Sequence, residues 1–207
     1  MRPRPEQLRG DDAPRTVLVT GATGETGRAV CTLLKARGDT VLAVGTDAGR
    51  LQSVDATERL VCDVTDRDAT DALAADVATR HESLDGILHL VGGWKPGWSD
   101  EVTDWLNARL VVSLLNVSEA FERMLRAAPA GRLAIISSTV VTHDGPPSSA
   151  YAAAKLAAES WLAQLNQRWA GTPTGAVTLV AKSVDPASAS EALLEVWRLE
   201  PGARVLL

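Results

Sequence analysis

Tyr151 and Lys155 are the residues whose types and spacing indicate chemistry most directly. Tyr151 is the only tyrosine of the chain, and it lies four residues before one of only four lysines. The alanine-rich segment around them is typical of a helix, in which residues four apart lie side by side. A phenol has a pKa of about 10 and exchanges protons poorly at neutral pH unless a neighbouring ammonium stabilises the phenolate, as Lys155 would. The pair is therefore suited to give a proton to a carbonyl that is being reduced.

A glycine-rich segment between a strand pattern and a helix pattern indicates a phosphate-binding turn. Gly21, Gly24 and Gly27 follow the apolar run that begins at Thr16 and lead into a helical pattern. Glycines at this point let the backbone approach a pyrophosphate, and the start of the helix adds free N–H groups and a favourable dipole. Because the turn joins the first strand to the first helix, we interpret it as a nucleotide-binding turn.

The end of the second predicted strand should meet the ribose of that nucleotide. An acidic residue there selects NAD, whereas an arginine accommodates the 2′-phosphate of NADP. This strand runs into Thr46 and Asp47, and Arg28 or Arg50 could reach a phosphate. Both arginines can also be read as solvated surface charges. The sequence therefore predicts NAD or NADP as cofactor without choosing between them.

Three further residues are candidates for the substrate end of the site. Ser138 ends a strand thirteen residues before Tyr151, where its hydroxyl would hold the reacting carbonyl, although serine is also common in turns. Trp94 and Trp98 follow another strand at the same edge, and a loop there could present an aromatic wall to a flat substrate. Plain packing is the alternative for both tryptophans.

Strand and helix patterns alternate along the whole chain. Units of this length favour parallel strands joined by right-handed crossovers, so we expect an α/β, Rossmann-like three-layer sandwich with a mostly parallel sheet of about seven strands. Residues 1–14 are expected to form a flexible N-terminal extension, and residues 15–207 a single NAD(P)-binding Rossmann domain. Strands are predicted at 16–20, 40–44, 59–62, 86–91, 132–137, 175–181 and 204–207, and helices at 25–37, 68–81, 100–128, 149–169 and 187–197.

Composition excludes several classes of partner. The net charge is −5 and acidic residues are interspersed with the arginines, which disfavours a nucleic-acid surface. No apolar run approaches the roughly 20 residues needed to span a bilayer. Cys31 and Cys62 lie in apolar segments and are expected to be buried thiols, and the histidines lack metal-ligand spacing, so no metal site is predicted. We expect a cytoplasmic protein that acts on a small molecule, with neither nucleic-acid nor membrane partners.

Five features, taken in chain order, resemble the short-chain dehydrogenase/reductase family over residues 15–181: the glycine turn, Asp63-Val64, Gly92-Gly93, Ser138, and Tyr151 with Lys155. The resemblance implies that Tyr151 is the proton donor, that Lys155 lowers its pKa and binds the nicotinamide ribose, and that Ser138 orients the substrate. Long apolar stretches in the predicted helices at 106–125 and 152–165 exceed what one sheet would cover and favour a homodimer or homotetramer, and the resemblance implies the same helices as its interface. The residues implied to contact NAD(P) are Gly21, Thr23, Gly24, Glu25, Thr26, Gly27, Thr46, Asp63, Val64, Gly92, Gly93, Tyr151 and Lys155.

Some features depart from the main branch of that family. The glycine spacing, the Gly92-Gly93-Trp94 run and the short tail are similar to the branch that contains dihydropteridine reductase. Leu110 stands where the main branch has an asparagine that supports a proton relay. Asn107 and Asn116 lie nearby but out of register, and we interpret them as solvated or capping residues.

The sequence leaves two functions open. The first is an NAD(P)H-dependent oxidoreductase that reduces a carbonyl or an activated double bond of a small molecule, with Tyr151 as proton donor assisted by Lys155 and Ser138. The second is a non-catalytic NAD(P)-binding sensor or regulatory protein, which the missing asparagine and the short tail favour. The retained serine, tyrosine and lysine favour the enzyme.

Overall fold

Seven parallel strands form one sheet in the computed structural model, which describes residues 13–141 and 144–207. The strands are β1 Thr16–Thr20, β2 Thr40–Gly45, β3 Glu58–Val61, β4 Gly86–His89, β5 Arg132–Ser138, β6 Gly175–Ala181 and β7 Arg204–Leu206. Their order across the sheet is β3-β2-β1-β4-β5-β6-β7, and each neighbouring pair is parallel. The predicted Rossmann-like sheet is thereby confirmed. The predicted extension, residues 1–14, lies outside the described residues apart from its last two positions.

Helices cover both faces of the sheet. They are α1 Glu25–Ala36, α2 Ala48–Leu51, α3 Arg67–Ala78, α4 Asp100–Asn107, α5 Ser113–Ala120, α6 Glu122–Ala127, α7 Ala150–Arg168 and α8 Pro186–Leu194, with a π-helical turn at Ala108–Val112 and a 3-10 turn at Val196–Arg198. The short helix α2 was not predicted. It begins at Asp47, whose carboxylate accepts a 2.9 Å hydrogen bond from the backbone N–H of Arg50.

Two hydrophobic cores, one on each face of the sheet, give the expected three layers. Leu18 of β1 packs with residues of α3, α5 and α7, whereas its neighbours Val17 and Val19 pack with residues of α1 and α8. Successive side chains of a strand point to opposite faces, so a central strand that is covered on both sides is apolar throughout. This explains why the sequences of the central strands are continuous apolar runs.

The helix predicted over 100–128 is wrong as a single element, because the chain there forms α4, the π-helical turn, α5 and α6. Leu106 and Leu110 pack against α7, whereas Leu114 lies in the core beneath the sheet, and the π-helical turn redirects the chain between these two contacts. A second interruption occurs at Phe121, which is fully buried at φ −99° and ψ 2°. The hydrophobic spacing continues through both interruptions and does not reveal them.

Other boundaries differ by a few residues. The fourth strand was predicted to reach Val91 but ends at His89, because the following residues form the loop that borders the site. The predicted helix 187–197 ends at Leu194 and is followed by the 3-10 turn. Cys31 and Cys62 are both free and buried, as predicted.

Candidate active site

A cleft of about 650 Å³ lies at the carboxyl ends of β1 to β5 and beside the start of α7. This is where sheets of this topology bind ligands. All predicted site residues except Ser138 and Trp98 line it, namely Gly21, Thr23, Gly24, Glu25, Thr26, Gly27, Thr46, Asp63, Val64, Gly92, Gly93, Trp94, Tyr151 and Lys155.

The glycine turn forms one end of the cleft. Gly21 adopts φ +69°, and a Cβ there would lie 2.6 Å from the carbonyl oxygen of Leu90, so only glycine fits without displacing the backbone. A Cβ on Gly27 would collide with the carbonyl oxygen of Gly21. Gly24 is the N-cap residue of α1 and has no side chain that could bind the first turn. Backbone N–H groups at the helix start are therefore available to a ligand. The turn therefore fits a pyrophosphate.

Thr46, directly after β2, and Arg50 of α2 line the cleft beyond the turn. Arg50 Nη2 donates to the carbonyl oxygen of Thr23 at 3.0 Å, and Arg28 Nε donates to the same oxygen at 3.1 Å. The two guanidinium groups thus converge beside the glycine turn. The carboxylate of Asp47 caps α2, and this residue does not line the cleft.

A network of hydrogen bonds fixes the loop after β3. The carboxylate of Asp63 accepts bonds from the backbone N–H of Thr65 at 3.0 Å and from its hydroxyl at 2.7 Å. Asn116 Nδ2 donates to the carbonyl oxygens of Val64 at 3.1 Å and Thr65 at 3.2 Å. The interpretation of Asn116 as a solvated or capping residue is wrong, since it is buried and ties α5 to this loop.

The predicted serine, tyrosine and lysine meet at the other end of the cleft. Tyr151 lies in the first turn of α7, whose start is capped by the hydroxyl of Ser149. Lys155 Nζ lies 5.8 Å from the centroid of the Tyr151 ring and donates a 2.7 Å hydrogen bond to the carbonyl oxygen of Ile136. Ser138, at the end of β5, lies close enough to Tyr151 to oppose the rise in the pKa of that phenol, although it does not itself line the cleft.

Burial sets the protonation of this group. Burial raises the pKa of Tyr151 above its ordinary 10.0, and the side chain of Ser138 partly opposes that shift. Burial lowers the pKa of Lys155 from 10.5 to about 8, and the Glu159 carboxylate partly opposes it. The resemblance implies that Lys155 lowers the pKa of Tyr151. That expectation is wrong for this structure, in which the pKa of Tyr151 is raised. Desolvation of the half-buried phenol exceeds the stabilisation of its anion.

His89, at the end of β4, is buried, and both of its ring nitrogens are hydrogen-bonded. Ser113 Oγ donates to the carbonyl oxygen of Arg109 at 2.6 Å, so it must accept the 3.0 Å bond from His89 Nε2. His89 Nδ1 therefore accepts the 2.8 Å bond from the Thr20 hydroxyl. Burial, with a smaller contribution from Lys155, lowers the pKa of His89 from 6.5 to about 3 and keeps it neutral. This chain of bonds fastens the π-helical turn to two strand ends.

Sequence reasoning missed Arg109, which no motif marks. It lines the cleft from the π-helical turn, and its Nε donates to the carbonyl oxygen of Gly92 at 3.0 Å. The two predicted tryptophans differ. Trp94 lines the cleft and is 66% exposed, whereas Trp98, also exposed, does not line it.

Comparisons with known proteins identify the family of this chain. The short chain dehydrogenase family model matches residues 15–188. A 3beta-hydroxysteroid dehydrogenase of Mediterraneibacter gnavus is 31% identical over 157 residues, which cover 68% of this chain and 55% of that enzyme. The chain therefore spans about half the length of that relative.

Solved structures show the same fold at low sequence identity. A short-chain dehydrogenase from Streptomyces avermitilis has a TM-score of 0.83 and 22% identity, with 94% of this chain and 88% of that chain covered. A short chain dehydrogenase from Shigella flexneri, solved in complex with NADP, has a TM-score of 0.82 and 21% identity, with 96% and 99% covered. With the family match over most of the sequence, the chain belongs to the short-chain dehydrogenase/reductase family.

Proposed function

We propose that the protein is an NAD(P)H-dependent oxidoreductase that reduces a carbonyl or an activated double bond of a small molecule. The observation that carries this proposal is the meeting of Ser138, Tyr151 and Lys155 beside a cleft whose other end is the glycine turn. An acid for the substrate oxygen and a cradle for a dinucleotide thus face the same space.

The cofactor would lie along the carboxyl ends of the strands. When bound, NAD(P)H supplies the hydride. The turn at Gly21 to Gly27 would hold the pyrophosphate, Asp63 and Val64 would flank the adenine, and Gly92 and Gly93 would leave room beside the nicotinamide half. Lys155 would also bind the nicotinamide ribose. These roles are those that the family resemblance implies, and the lining of the cleft supports them.

Tyr151 would donate the proton that the reduced oxygen needs. Its raised pKa keeps the phenol protonated at neutral pH, as a proton donor must be. The Ser138 hydroxyl would orient the carbonyl beside it. The Lys155 ammonium would stabilise the phenolate that remains after transfer, at a pH below its own pKa of about 8.

Two arginines beside the glycine turn lead us to propose NADP(H) as the preferred cofactor. Arg50 of α2 lines the cleft and Arg28 of α1 lies next to it, while the carboxylate of Asp47 caps α2 instead of facing a ribose. A 2′-phosphate is recognised by arginine, whereas an acidic residue at this position would repel it.

The experiment is a titration of NADPH and NADH, followed by an assay of cofactor oxidation, read as loss of the reduced nicotinamide absorbance, against a panel of carbonyl and quinonoid compounds. Binding of NADPH with turnover of any compound supports the proposal and excludes the non-catalytic sensor. Binding without turnover across the panel favours the sensor, which the buried Leu110 in place of the relay asparagine supports.

Assembly and location remain predictions. We propose a homodimer or homotetramer. Part of the apolar helix surface that favours this assembly is already covered within one chain, since the core contains Leu114, Val117 and Leu165. Among the described residues, no helix combines the length and apolar character needed to cross a bilayer. A cytoplasmic location and the absence of nucleic-acid and membrane partners stay expectations.

A further inference from the structure

The guanidinium of Arg109 is held in a fixed position in the cleft, on the π-helical turn whose Leu110 packs against α7, the helix of Tyr151. Its Nε donates to the carbonyl oxygen of Gly92, and its Cζ lies 5.0 Å from the centroid of the Trp105 ring. Trp105 is itself fixed against Gly93, where any Cβ would collide with the indole. Two separate contacts therefore orient the planar group before any ligand arrives.

The outer nitrogens of Arg109 have no acceptor within residues 13–141 and 144–207. Two other described arginines use their outer nitrogens for ion pairs. Arg80 binds the carboxylates of Asp76 and Glu58, and Arg37 binds that of Asp39. Arg109 thus presents unused donors to the cleft that it lines.

The charges around Arg109 favour an anion. In the part of the chain that the structure describes, the carboxylates lining the cleft are those of Glu25 and Asp63, which belong to the cofactor half. The part of the cleft lined by Tyr151 contains the cationic side chains of Arg109 and Lys155. Lys95 adds a third positive charge, 4.7 Å from the centroid of the Trp105 ring, with Glu101 at 3.9 Å as its loose partner.

We infer that Arg109 binds a carboxylate of the substrate, so that the substrate class is a small oxo acid whose carbonyl is reduced beside Tyr151. This inference rests on the proposed reductase function. The paired outer nitrogens of a guanidinium match the two oxygens of a carboxylate, and such charge-assisted pairs are stronger than neutral hydrogen bonds. The exposed ring of Trp94, which also lines the cleft, would cover the apolar part of the molecule.

The test compares oxo acids with their methyl esters. Initial rates of NADPH oxidation are measured for a series that varies the number of carbons between carbonyl and carboxylate. For the wild type we expect kcat/KM to be about 10- to 100-fold higher for the best acid than for its ester, as one charged hydrogen-bonded pair provides. In the variant Arg109→Met, kcat/KM for the acid should fall by about 10- to 100-fold more than kcat/KM for the ester, so that the preference is lost. Arg109→Lys should restore part of it, and Arg126→Met, on α6, serves as the matched control.

Three results would overturn the inference. Equal kcat/KM of acid and ester in the wild type shows that no carboxylate is recognised. If Arg109→Met lowers kcat/KM equally for the acid and the ester, Arg109 has a structural role. If that variant binds NADPH more weakly, Arg109 binds the cofactor and not the substrate.

A protein that turns over no compound would refute the proposed function separately. In that case, calorimetric titration of the NADPH complex with the corresponding hydroxy acids tests whether Arg109 binds a carboxylate. Binding that Arg109→Met abolishes supports the inference, and absence of binding contradicts it.

Discussion

Lys155 Nζ donates a 2.7 Å hydrogen bond to the backbone carbonyl oxygen of Ile136, which joins the helix that carries Tyr151 to the strand that carries Ser138. The three proposed catalytic side chains thus come from two elements held together at the site itself. The bond also withdraws the lysine from solvent, and this burial lowers its pKa to about 8.

The pH dependence of the reaction should report this lysine. Because the ammonium is the working form, kcat/KM for carbonyl reduction should fall as pH rises through about 8, where Lys155 loses its proton. Tyr151 stays protonated over that range because its pKa is raised. In Lys155→Arg the charge persists to high pH, so the alkaline fall should disappear even if the rate is lower. Lys35→Arg, on α1, is the control, and an unchanged alkaline limb in Lys155→Arg would assign the titration to another group.

His89 should make the protein less stable in acid. Its pKa is lowered from 6.5 to about 3, so between these values the unfolded chain binds a proton that the folded protein does not. The free energy of unfolding should therefore decrease as pH falls from 6.5 toward 3. Urea unfolding of wild type and His89→Asn, whose amide can donate and accept but does not titrate, should show a shallower decrease for the variant. Equal slopes would mean that His89 does not contribute.

The glycine turn should respond unequally to substitution. Gly21→Ala places a side chain at φ +69° and 2.6 Å from a carbonyl oxygen, so the free energy of unfolding should fall by more than about 2 kcal/mol. Gly24→Ala leaves 3.3 Å to its nearest neighbour at an ordinary φ, and its cost should stay below about 1 kcal/mol. Chemical unfolding of the apo-proteins measures both. Similar losses for the two variants would contradict the geometry of the turn.

Cofactor selection should depend on Arg50. In Arg50→Ala the Kd for NADPH should rise about 3- to 10-fold, because the side chain is exposed and its charged contact is weakened by solvent. The Kd for NADH should change little, since that cofactor lacks the 2′-phosphate. Fluorescence titration of both cofactors measures the ratio, with Arg123→Ala on α6 as control. An equal effect on NADPH and NADH would place Arg50 at the part that the two cofactors share.

Local patterns predicted the framework well. The strand, the glycine turn and the helix that starts at Glu25 are adjacent in sequence, and each has its own signal in spacing or residue type. The Tyr151 and Lys155 pair is equally local, since both lie on one helix. Such features need no knowledge of the rest of the chain.

What the sequence did not predict depends on distant contacts. Asn116 is buried because it bonds to Val64, which is 52 residues away. The direction of the pKa shift of Tyr151 follows from desolvation by the assembled fold, whereas the sequence showed only the lysine beside it. Arg109 is recognised as a site residue only in the folded chain, where the π-helical turn places it beside Gly92.

The central claim is that Tyr151 delivers the proton in a reductase. Tyr151→Phe removes the hydroxyl and keeps the ring, so its most direct test is turnover of NADPH with the best carbonyl substrate, measured beside the NADPH Kd. We predict that kcat falls by about 100- to 10,000-fold, the usual contribution of a positioned acid, while the Kd stays within about 3-fold of the wild type. Turnover that survives in Tyr151→Phe with NADPH binding intact would contradict the account.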